Sequence, residues 1–441
     1  MNHEPLDHFH QAFATQAKIL PGAELPWLRA ARRRAFEQFG TLGVPTTRDE
    51  DWKYTNVAML GKRPWHFAPQ RSDDVDGRHI VEELALDAQG DRLVFVNGRY
   101  APKLSNVQRL PHGVFVGSLA RALREMPDRL EAMFSAQTWP DGLAALNTAF
   151  LCDGFVVVLP PGIVLDRPLQ MLFLSDEAGL AVQPFNVVLA GARSGCAIVE
   201  QFVGLNNEVY LTNTITRIVA DEQVDVQHYR LQQEGGKAFH IAGIDAEQGH
   251  ASHFTSHAFA FGSALSRTGI AAHLNARDAE VTLNGLYFAG GRQHVDHHTR
   301  IDHAKPRGTS REYYRGVLDG AARGVFNGRV IVHPDAQQTD AYQANHNLLL
   351  SRDAEIDTKP QLEIFADDVR CTHGATVGQL DENQLFYLRA RGVDEFTARA
   401  LLTYAFARDI VERVRFDALR GRLESLLLAR MPEGGRIREL T

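Results

Sequence analysis

The stretch Thr212-Asn213-Thr214-Ile215-Thr216-Arg217-Ile218 alternates cleanly between two sets of side chains. Successive side chains of a β-strand point to opposite faces, so such a segment offers one face to an interior and one to solvent or a partner. From residue 155 to about residue 377, short apolar runs follow one another with Gly, Asn or Asp between them. Their starts, often about ten to fifteen residues apart, predict an all-β sandwich, barrel or solenoid, and periodicity alone does not separate these.

The segments on either side have a different pattern. Residues 1–150 predict a mixed α/β domain, with a helix at 27–39, a strand followed by an Asn97-Gly98 turn, and a helix at 118–136 that Pro127 breaks or kinks. After Gly378 helices return, at 382–390, after a cap at Asp394, and at 416–431. We therefore predict three domains: 1–150, a β core at 151–378, and a helical domain at 379–441.

Composition excludes some classes of function. A net charge of −7 over 441 residues argues against a nucleic-acid-binding surface, which needs clustered Lys and Arg. No run approaches the roughly 18 apolar residues of a membrane helix, and the N-terminus does not have the pattern of a signal peptide. Three widely spaced cysteines indicate a reducing compartment. These features predict a cytoplasmic protein that does not bind a membrane.

Residues 364–378 contain the pair that draws most attention, Cys371 and His373. The pattern predicts a strand running into a turn at Gly374, with both side chains on one face and roughly 6–7 Å apart. A thiolate and an imidazole are ligand types for zinc or an iron–sulfur cluster. Two ligands do not complete a tetrahedral site, so another part of the molecule or another subunit would have to supply the rest. The competing interpretation is a small buried cysteine beside a hydrogen-bonded structural histidine.

A second candidate lies at His294, His297 and His298, with His303 nearby. A β-solenoid metal-dependent hydrolase would use the first three as zinc ligands. The spacing is not that of His-Glu-x-x-His, and residues an odd number apart, such as His298 and His303, point to opposite faces of a continuous strand. The alternative is that these histidines are structural and form hydrogen bonds with other polar side chains of the strands.

Common catalytic and nucleotide-binding signatures are missing from the sequence. Gly235-Gly236-Lys237 is followed by Ala238 and lacks the earlier glycine of a phosphate loop. Neither a dinucleotide-binding fingerprint nor a Gly-x-Ser-x-Gly elbow is present. The sequence therefore favours a scaffold or adaptor over an enzyme.

Several long motifs resemble one family. They are Trp52-Lys53-Tyr54-Thr55, Asp302-His303-Ala304-Lys305-Pro306-Arg307-Gly308-Thr309-Ser310, Gln338-Thr339-Asp340-Ala341-Tyr342-Gln343, Asn347-Leu348-Leu349-Leu350-Ser351, Lys359-Pro360-Gln361-Leu362-Glu363-Ile364, residues 366–378, and Gln384-Leu385-Phe386-Tyr387-Leu388-Arg389-Ala390-Arg391-Gly392. The chain resembles, over nearly its whole length, the SufB/SufD family of the SUF iron–sulfur cluster assembly scaffold. SufB-like members usually carry a cysteine-rich motif in the N-terminal part, whereas Cys152 is the only cysteine before residue 196 here. The resemblance is therefore to the SufD branch.

This resemblance implies a mainly β protein, with a right-handed parallel β-helix core between an N-terminal α/β domain and a C-terminal helical domain. It also implies a non-enzymatic scaffold subunit that pairs with a SufB-like subunit and holds a SufC-like ATPase through its C-terminal helices. A transient iron–sulfur cluster would form at the interface, with His373 as the key histidine and Cys371 beside it. Reduced flavin is a further implied cofactor of the complex, at residues that the sequence does not identify.

The C-terminal helices carry apolar side chains that we predict to dock the ATPase. They are Phe386, Leu388, Leu401, Leu402, Tyr404 and Phe406. Self-pairing of the isolated chain as a homodimer is a further expectation. The sequence leaves open the cluster type, the iron donor, and whether Cys371 is a direct ligand.

Overall fold

The structure, a computed structural model, describes residues 7–67, 77–108, 110–135, 139–431 and 435. It is mainly β, a β-solenoid of about eight turns with helices before and after it. This result confirms the predicted fold class and decides between solenoid and sandwich.

The described residues form ten α-helices and twenty β-strands, besides a short 3-10 turn at Glu50–Trp52. The helices are α1 (Asp7–Gln16), α2 (Pro26–Leu42), α3 (Ala58–Lys62), α4 (Arg78–Leu84), α5 (Leu119–Glu125), α6 (Pro127–Ser135), α7 (Gly142–Phe150), α8 (Glu382–Ala390), α9 (Glu395–Val411) and α10 (Asp417–Leu428). The strands are β1 (Arg92–Val96), β2 (Arg99–Tyr100), β3 (Phe115–Ser118), β4 (Phe155–Leu159), β5 (Leu169–Ser175), β6 (Ala181–Val182), β7 (Phe185–Ala190), β8 (Gly195–Gly204), β9 (Leu211–Ala220), β10 (Asp225–Gln233), β11 (Phe239–Gln248), β12 (His253–Ala260), β13 (Leu265–Leu274), β14 (Glu280–Ala289), β15 (His294–His303), β16 (Thr309–Leu318), β17 (Arg323–Val332), β18 (Asp340–Leu349), β19 (Glu355–Ile364) and β20 (Arg370–Gly378).

Consecutive long strands alternate between two sheets. Sheet one runs β2-β1-β5-β8-β10-β12-β14-β16-β18-β20, and sheet two runs β19-β17-β15-β13-β11-β9-β7-β4-β3. From β8 onward each strand pairs in parallel with the strand two positions along the chain, so one coil takes about 30 residues. The N-terminal strands β1 and β3 extend these sheets, β1 on β5 and β3 on β4. The division into three domains stays a prediction.

In-register pairing stacks like positions into columns inside the solenoid. Val226, Phe254 and Val281 are neighbours on successive strands of sheet one, and all three are buried in the interior. A slip of one residue would turn such a column outward, so the alternation seen in the sequence fixes the register. We call this interior the lumen.

The lumen also contains paired polar groups. Arg230 is almost fully buried, donates to Glu200 at 2.5 Å, and stacks over the Phe202 ring at 4.3 Å. Burying a charge is costly unless an opposite charge and hydrogen bonds offset the lost hydration. The polar residues of the strands thus form internal networks.

Helices cover the outer faces of both sheets. Most of the N-terminal helices pack on sheet two, whereas α4 packs on β1 and β5 of sheet one. α9 and α10 also pack on sheet one, where Leu286, Phe288 and Val317 meet Ala407 and Ile410. The C-terminal helices are therefore attached along the side of the solenoid.

Local predictions were accurate with one exception. The helices that flank Pro127, the Asn97-Gly98 hairpin and the Asp394 cap are all present, and Asp394 accepts from the Thr397 amide. The predicted turn at Gly374 is wrong. Gly374 pairs with Ala344 inside β20, and the chain bends before the strand, at 365–369. A glycine in a paired strand does not force a turn when the ladder continues on both sides.

Candidate functional site

Cys371 and His373 lie on β20, the last strand of sheet one. Their in-register neighbours on β18 are Ala341 and Gln343, both buried and facing the lumen. Cys371 packs against the luminal apolar core. The two side chains therefore share one face, as the period of two predicted, and that face is turned to the lumen at its last coil.

The two groups differ in their surroundings. Cys371 is half-buried and His373 is exposed. Burial raises the pKa of the Cys371 thiol, and the carboxylate of Asp340 raises it further. In the isolated chain the sulfur is therefore a protonated thiol at neutral pH, and a bound metal would have to displace the proton.

The C-terminal end of the solenoid presents free strand edges. Within the described part of the chain, β20 pairs with β18 alone and β19 with β17 alone. Ile364, Phe365 and Val377 are exposed at this end. Unpaired backbone groups together with exposed apolar side chains are typical of a surface that another chain covers.

The histidines at 294–298 do not converge. Asp296 is fully buried on the outer side of sheet two, where it accepts from Thr55 at 2.5 Å, pairs with His298 at 3.1 Å, and is also bound by Arg267. Burial alone would raise the pKa of Asp296, but the Arg267 charge holds it well below its usual range. His294 Nε2 lies 2.9 Å from the Thr55 hydroxyl. His298 thus contacts the buried carboxylate directly, and His294 is linked to it through the Thr55 hydroxyl.

His297 faces the opposite way, into the lumen. Its ring lies 5.2 Å from that of Tyr287 and 5.3 Å from that of Tyr314, centroid to centroid. Burial lowers the pKa of His297 to about 4. No group of three or more His, Cys, Asp or Glu among the described residues has a geometry that could hold a metal ion. The metal-dependent hydrolase is not supported.

Sequence reasoning missed the connection between two motifs. Thr55, near the N-terminus, contacts His294 and Asp296 on the outer face of sheet two, and Trp52 contacts Arg267 beside them. Trp52 is buried, and the Arg267 guanidinium lies 3.9 Å from its ring centroid. The motif Trp52-Lys53-Tyr54-Thr55 thus joins the N-terminal region to the solenoid.

Comparison with known proteins supports the resemblance found in the sequence. Residues 173–406 match the family described as the SufBD core domain of SUF-system FeS cluster assembly, and residues 3–171 match the SufBD protein N-terminal region. The chain belongs to the SufBD family.

Individual relatives agree. A SufBD family protein of Synechocystis, named for iron–sulfur cluster assembly, is 33% identical over 439 residues, which is 96% of each chain. The iron–sulfur cluster assembly protein SufD of Escherichia coli is 31% identical and matches 91% of this chain and 92% of its own. SufD of Bacillus subtilis is 24% identical over 92% of this chain and 94% of its own. The SufBD likeness thus covers both ends of the chain.

The residues predicted to dock an ATPase occupy different positions in this SufBD chain. Phe386 is 73% exposed, whereas Leu388, Leu401, Leu402 and Phe406 are half-buried. Tyr404 is only 4% exposed and belongs to the apolar cluster between α9 and sheet one, so it supports the helix from beneath.

Two exposed aromatics on these helices were missed. They are Tyr387 on α8 and Phe396, 73% exposed, on α9. Tyr387 also lines a surface cavity of about 320 Å³, together with Asn383, Gln384, Leu388 and Leu402. The sequence marked these positions as aromatic, but helical spacing does not show which aromatics remain uncovered.

Helix α9 is joined to the strands near the open end. Arg315 on β16 donates to the Phe406 carbonyl at 2.7 Å and pairs with Asp409 at 3.1 Å. The Arg413 guanidinium lies 4.1 Å from the Tyr313 ring. β16 is two strands from β20, so a displacement of α9 would act close to Cys371 and His373.

None of the described helices is long and apolar enough to cross a membrane.

Proposed function

We propose that this chain is a scaffold subunit on which a transient iron–sulfur cluster is assembled, together with a SufB-like subunit and a SufC-like ATPase. One observation carries the proposal. The thiol of Cys371 and the imidazole of His373 stand side by side on β20, a strand with one free edge at the open end of the solenoid. Family membership supports the assembly role.

The chemistry of the pair fits a shared site. Sulfur and imidazole nitrogen are ligands for iron, and a tetrahedral iron needs more ligands than this chain offers here. The SufB-like subunit would supply the rest, and the cluster would be cargo held at the interface. His373 is the ligand we assign first because it is the exposed one, while Cys371 becomes reactive when it loses its proton.

The strand edges suit the SufB-like partner. Pairing along β19 or β20 would satisfy their free backbone groups, and Ile364, Phe365 and Val377 would be covered. The same edges allow the isolated chain to pair with a second copy of itself. A homodimer of this kind would compete with the SufB-like subunit for one surface.

The ATPase would dock on α8 and α9. Phe386, Leu388 and Leu402 lie on the accessible side of these helices. Leu401 and Phe406 lie at the border of the solenoid, where they pack against the apolar cluster, and Tyr404 lies beneath. ATP-driven movement would pass through the Arg315 contacts to sheet one and uncover the half-buried Cys371 for iron or persulfide sulfur. Reduced flavin stays a prediction for the complex, without assigned residues.

Anaerobic cluster assembly by the reconstituted three-component complex tests the proposal. We expect His373→Ala to lower the initial rate of cluster assembly at least about tenfold, which is the usual effect of losing a group that supports a metal site. The rate is measured by absorbance and by the amounts of bound iron and sulfide. His253→Ala, which removes an exposed histidine from β12, is the matched control and should keep the wild-type rate. Wild-type kinetics for His373→Ala in an intact complex would refute the proposal.

A further inference from the structure

Gln343 lies directly behind His373. It is the in-register neighbour of His373 on β18, it faces the lumen, and it is fully buried. Its Nε2 donates to Glu312 Oε2 at 2.6 Å, whereas its Oε1 has no hydrogen-bond partner among the described residues. A buried carbonyl oxygen without a partner costs roughly 1–3 kcal/mol, so it requires an explanation.

Glu312 determines which way the amide points. It occupies the same column on β16, is fully buried, and binds the amide nitrogen of Gln343. Because the amide nitrogen of Gln343 donates to Glu312, the amide oxygen lies on the other side of the amide group. Successive members of a column are about 4.8 Å apart, and the next member on the open side is His373.

The neighbouring column provides a contrast. Asn345, two residues further along β18, is equally buried, but its Oδ1 accepts from Asn347 at 2.6 Å and from Thr358 at 2.9 Å. Its in-register neighbour on β20 is Ala375, which has no polar side chain. Of these two amides, the one whose oxygen has no partner is thus the one whose in-register neighbour is the histidine.

We propose that Gln343, held by Glu312, is a positioning residue that accepts the ring N–H of His373 and thereby presents the other ring nitrogen to iron. The inference rests on the proposed function, because it assigns a support to the same ligand. A histidine ligand generally donates its second ring N–H to a fixed oxygen, which sets the tautomer and the ring orientation. The Glu312–Gln343–His373 column supplies such an oxygen from inside the solenoid.

The experiment uses the reconstituted complex with ¹⁵N-histidine in this chain only. The His373 ring signals are assigned by their loss in His373→Gln. Wild type should show one dominant tautomer. Gln343→Leu should give a mixture of tautomers and lower the rate of cluster assembly about tenfold. Gln343→Glu, which keeps an oxygen beside His373, should restore the single tautomer and most of the rate.

Gln232→Leu is the matched control. Gln232 is a buried glutamine on β10, with hydrogen bonds to Glu234 and Ser263, four strands of sheet one from β18. The Gln232→Leu substitution should lower the free energy of unfolding and leave the His373 ring signals unchanged. An unchanged tautomer and rate in Gln343→Leu would overturn the inference, even if His373→Ala is impaired. A normal rate in His373→Ala would overturn the proposed function instead, and the ¹⁵N signals would still report the contact.

Discussion

Glu312 is a carboxyl group enclosed by the lumen, and its environment makes it sensitive to pH. Burial raises the pKa of Glu312 from 4.5 to about 7, although its hydrogen bond with Gln343 opposes the rise. The folded chain therefore holds the proton more tightly than the unfolded chain. Protonated Glu312 therefore adds to the free energy of unfolding. This contribution is complete below about pH 4.5 and is lost as the pH rises through 7.

Replacing Glu312 by Gln should remove this dependence. Each pKa unit corresponds to about 1.4 kcal/mol. The difference in unfolding free energy between Glu312→Gln and wild type should therefore change by up to about 3 kcal/mol between pH 5 and pH 8.5. The change should favour the variant at high pH. Urea unfolding followed by circular dichroism measures it. Glu247→Gln, at an exposed position of β11, is the control and should give a constant difference. A constant difference for Glu312→Gln as well would show that this carboxyl does not titrate as its burial requires.

Among the elements, α9 and the end of β19 expose phenylalanines on two separate surfaces. Phe396 on α9 and Phe365 just after β19 are 73% and 61% exposed. We expect Phe396→Asp to weaken binding of the SufC-like ATPase, and Phe365→Asp to weaken binding of the SufB-like subunit, each at least about tenfold, as for interface anchor residues. Titration calorimetry with each partner measures both effects.

The two substitutions are controls for each other. Each replaces an exposed phenylalanine by aspartate, so each should change the unfolding free energy by no more than about 0.5 kcal/mol and leave the other partner's affinity intact. If both variants lost the same partner, or neither lost any, the assignment of the two surfaces would be wrong.

How much of these elements could be predicted depends on the range of the interactions. The bounds of α8, the Asp394 cap and the shared face of Cys371 and His373 follow from periods and caps within a few residues, and the sequence displays these directly. The contact between Thr55 and Asp296 spans 241 residues, and no local pattern indicates it. Tyr404 was predicted to be accessible because helical spacing shows which side chains share a stripe but not which surface covers that stripe. The position of Gln343 behind His373 likewise depends on a register of about 30 residues.

At the scale of the whole molecule, the solenoid is asymmetric. Each internal coil contacts a coil on both sides, and β1 to β4 together with the N-terminal helices cover the first coils. The last coil, with β19 and β20, has one neighbouring coil within the described residues. In a structure of stacked repeats, stability is approximately a sum of nearest-neighbour terms, so this coil should open most easily.

Amide hydrogen exchange should show that the last coil opens most easily and that the SufB-like subunit covers it. In the isolated chain, we expect the amides of β19 and β20 to exchange faster than those of β13 and β15, which have paired strands on both sides. Adding the SufB-like subunit should slow exchange in β19 and β20, because their free backbone groups gain partners, and should leave β13 and β15 unchanged. A concentration series of the isolated chain identifies protection that comes from self-pairing, since that protection rises with the concentration of this chain alone. If the SufB-like subunit bound without protecting β19 or β20, the partner would sit elsewhere, and Cys371 and His373 would not share a site with it.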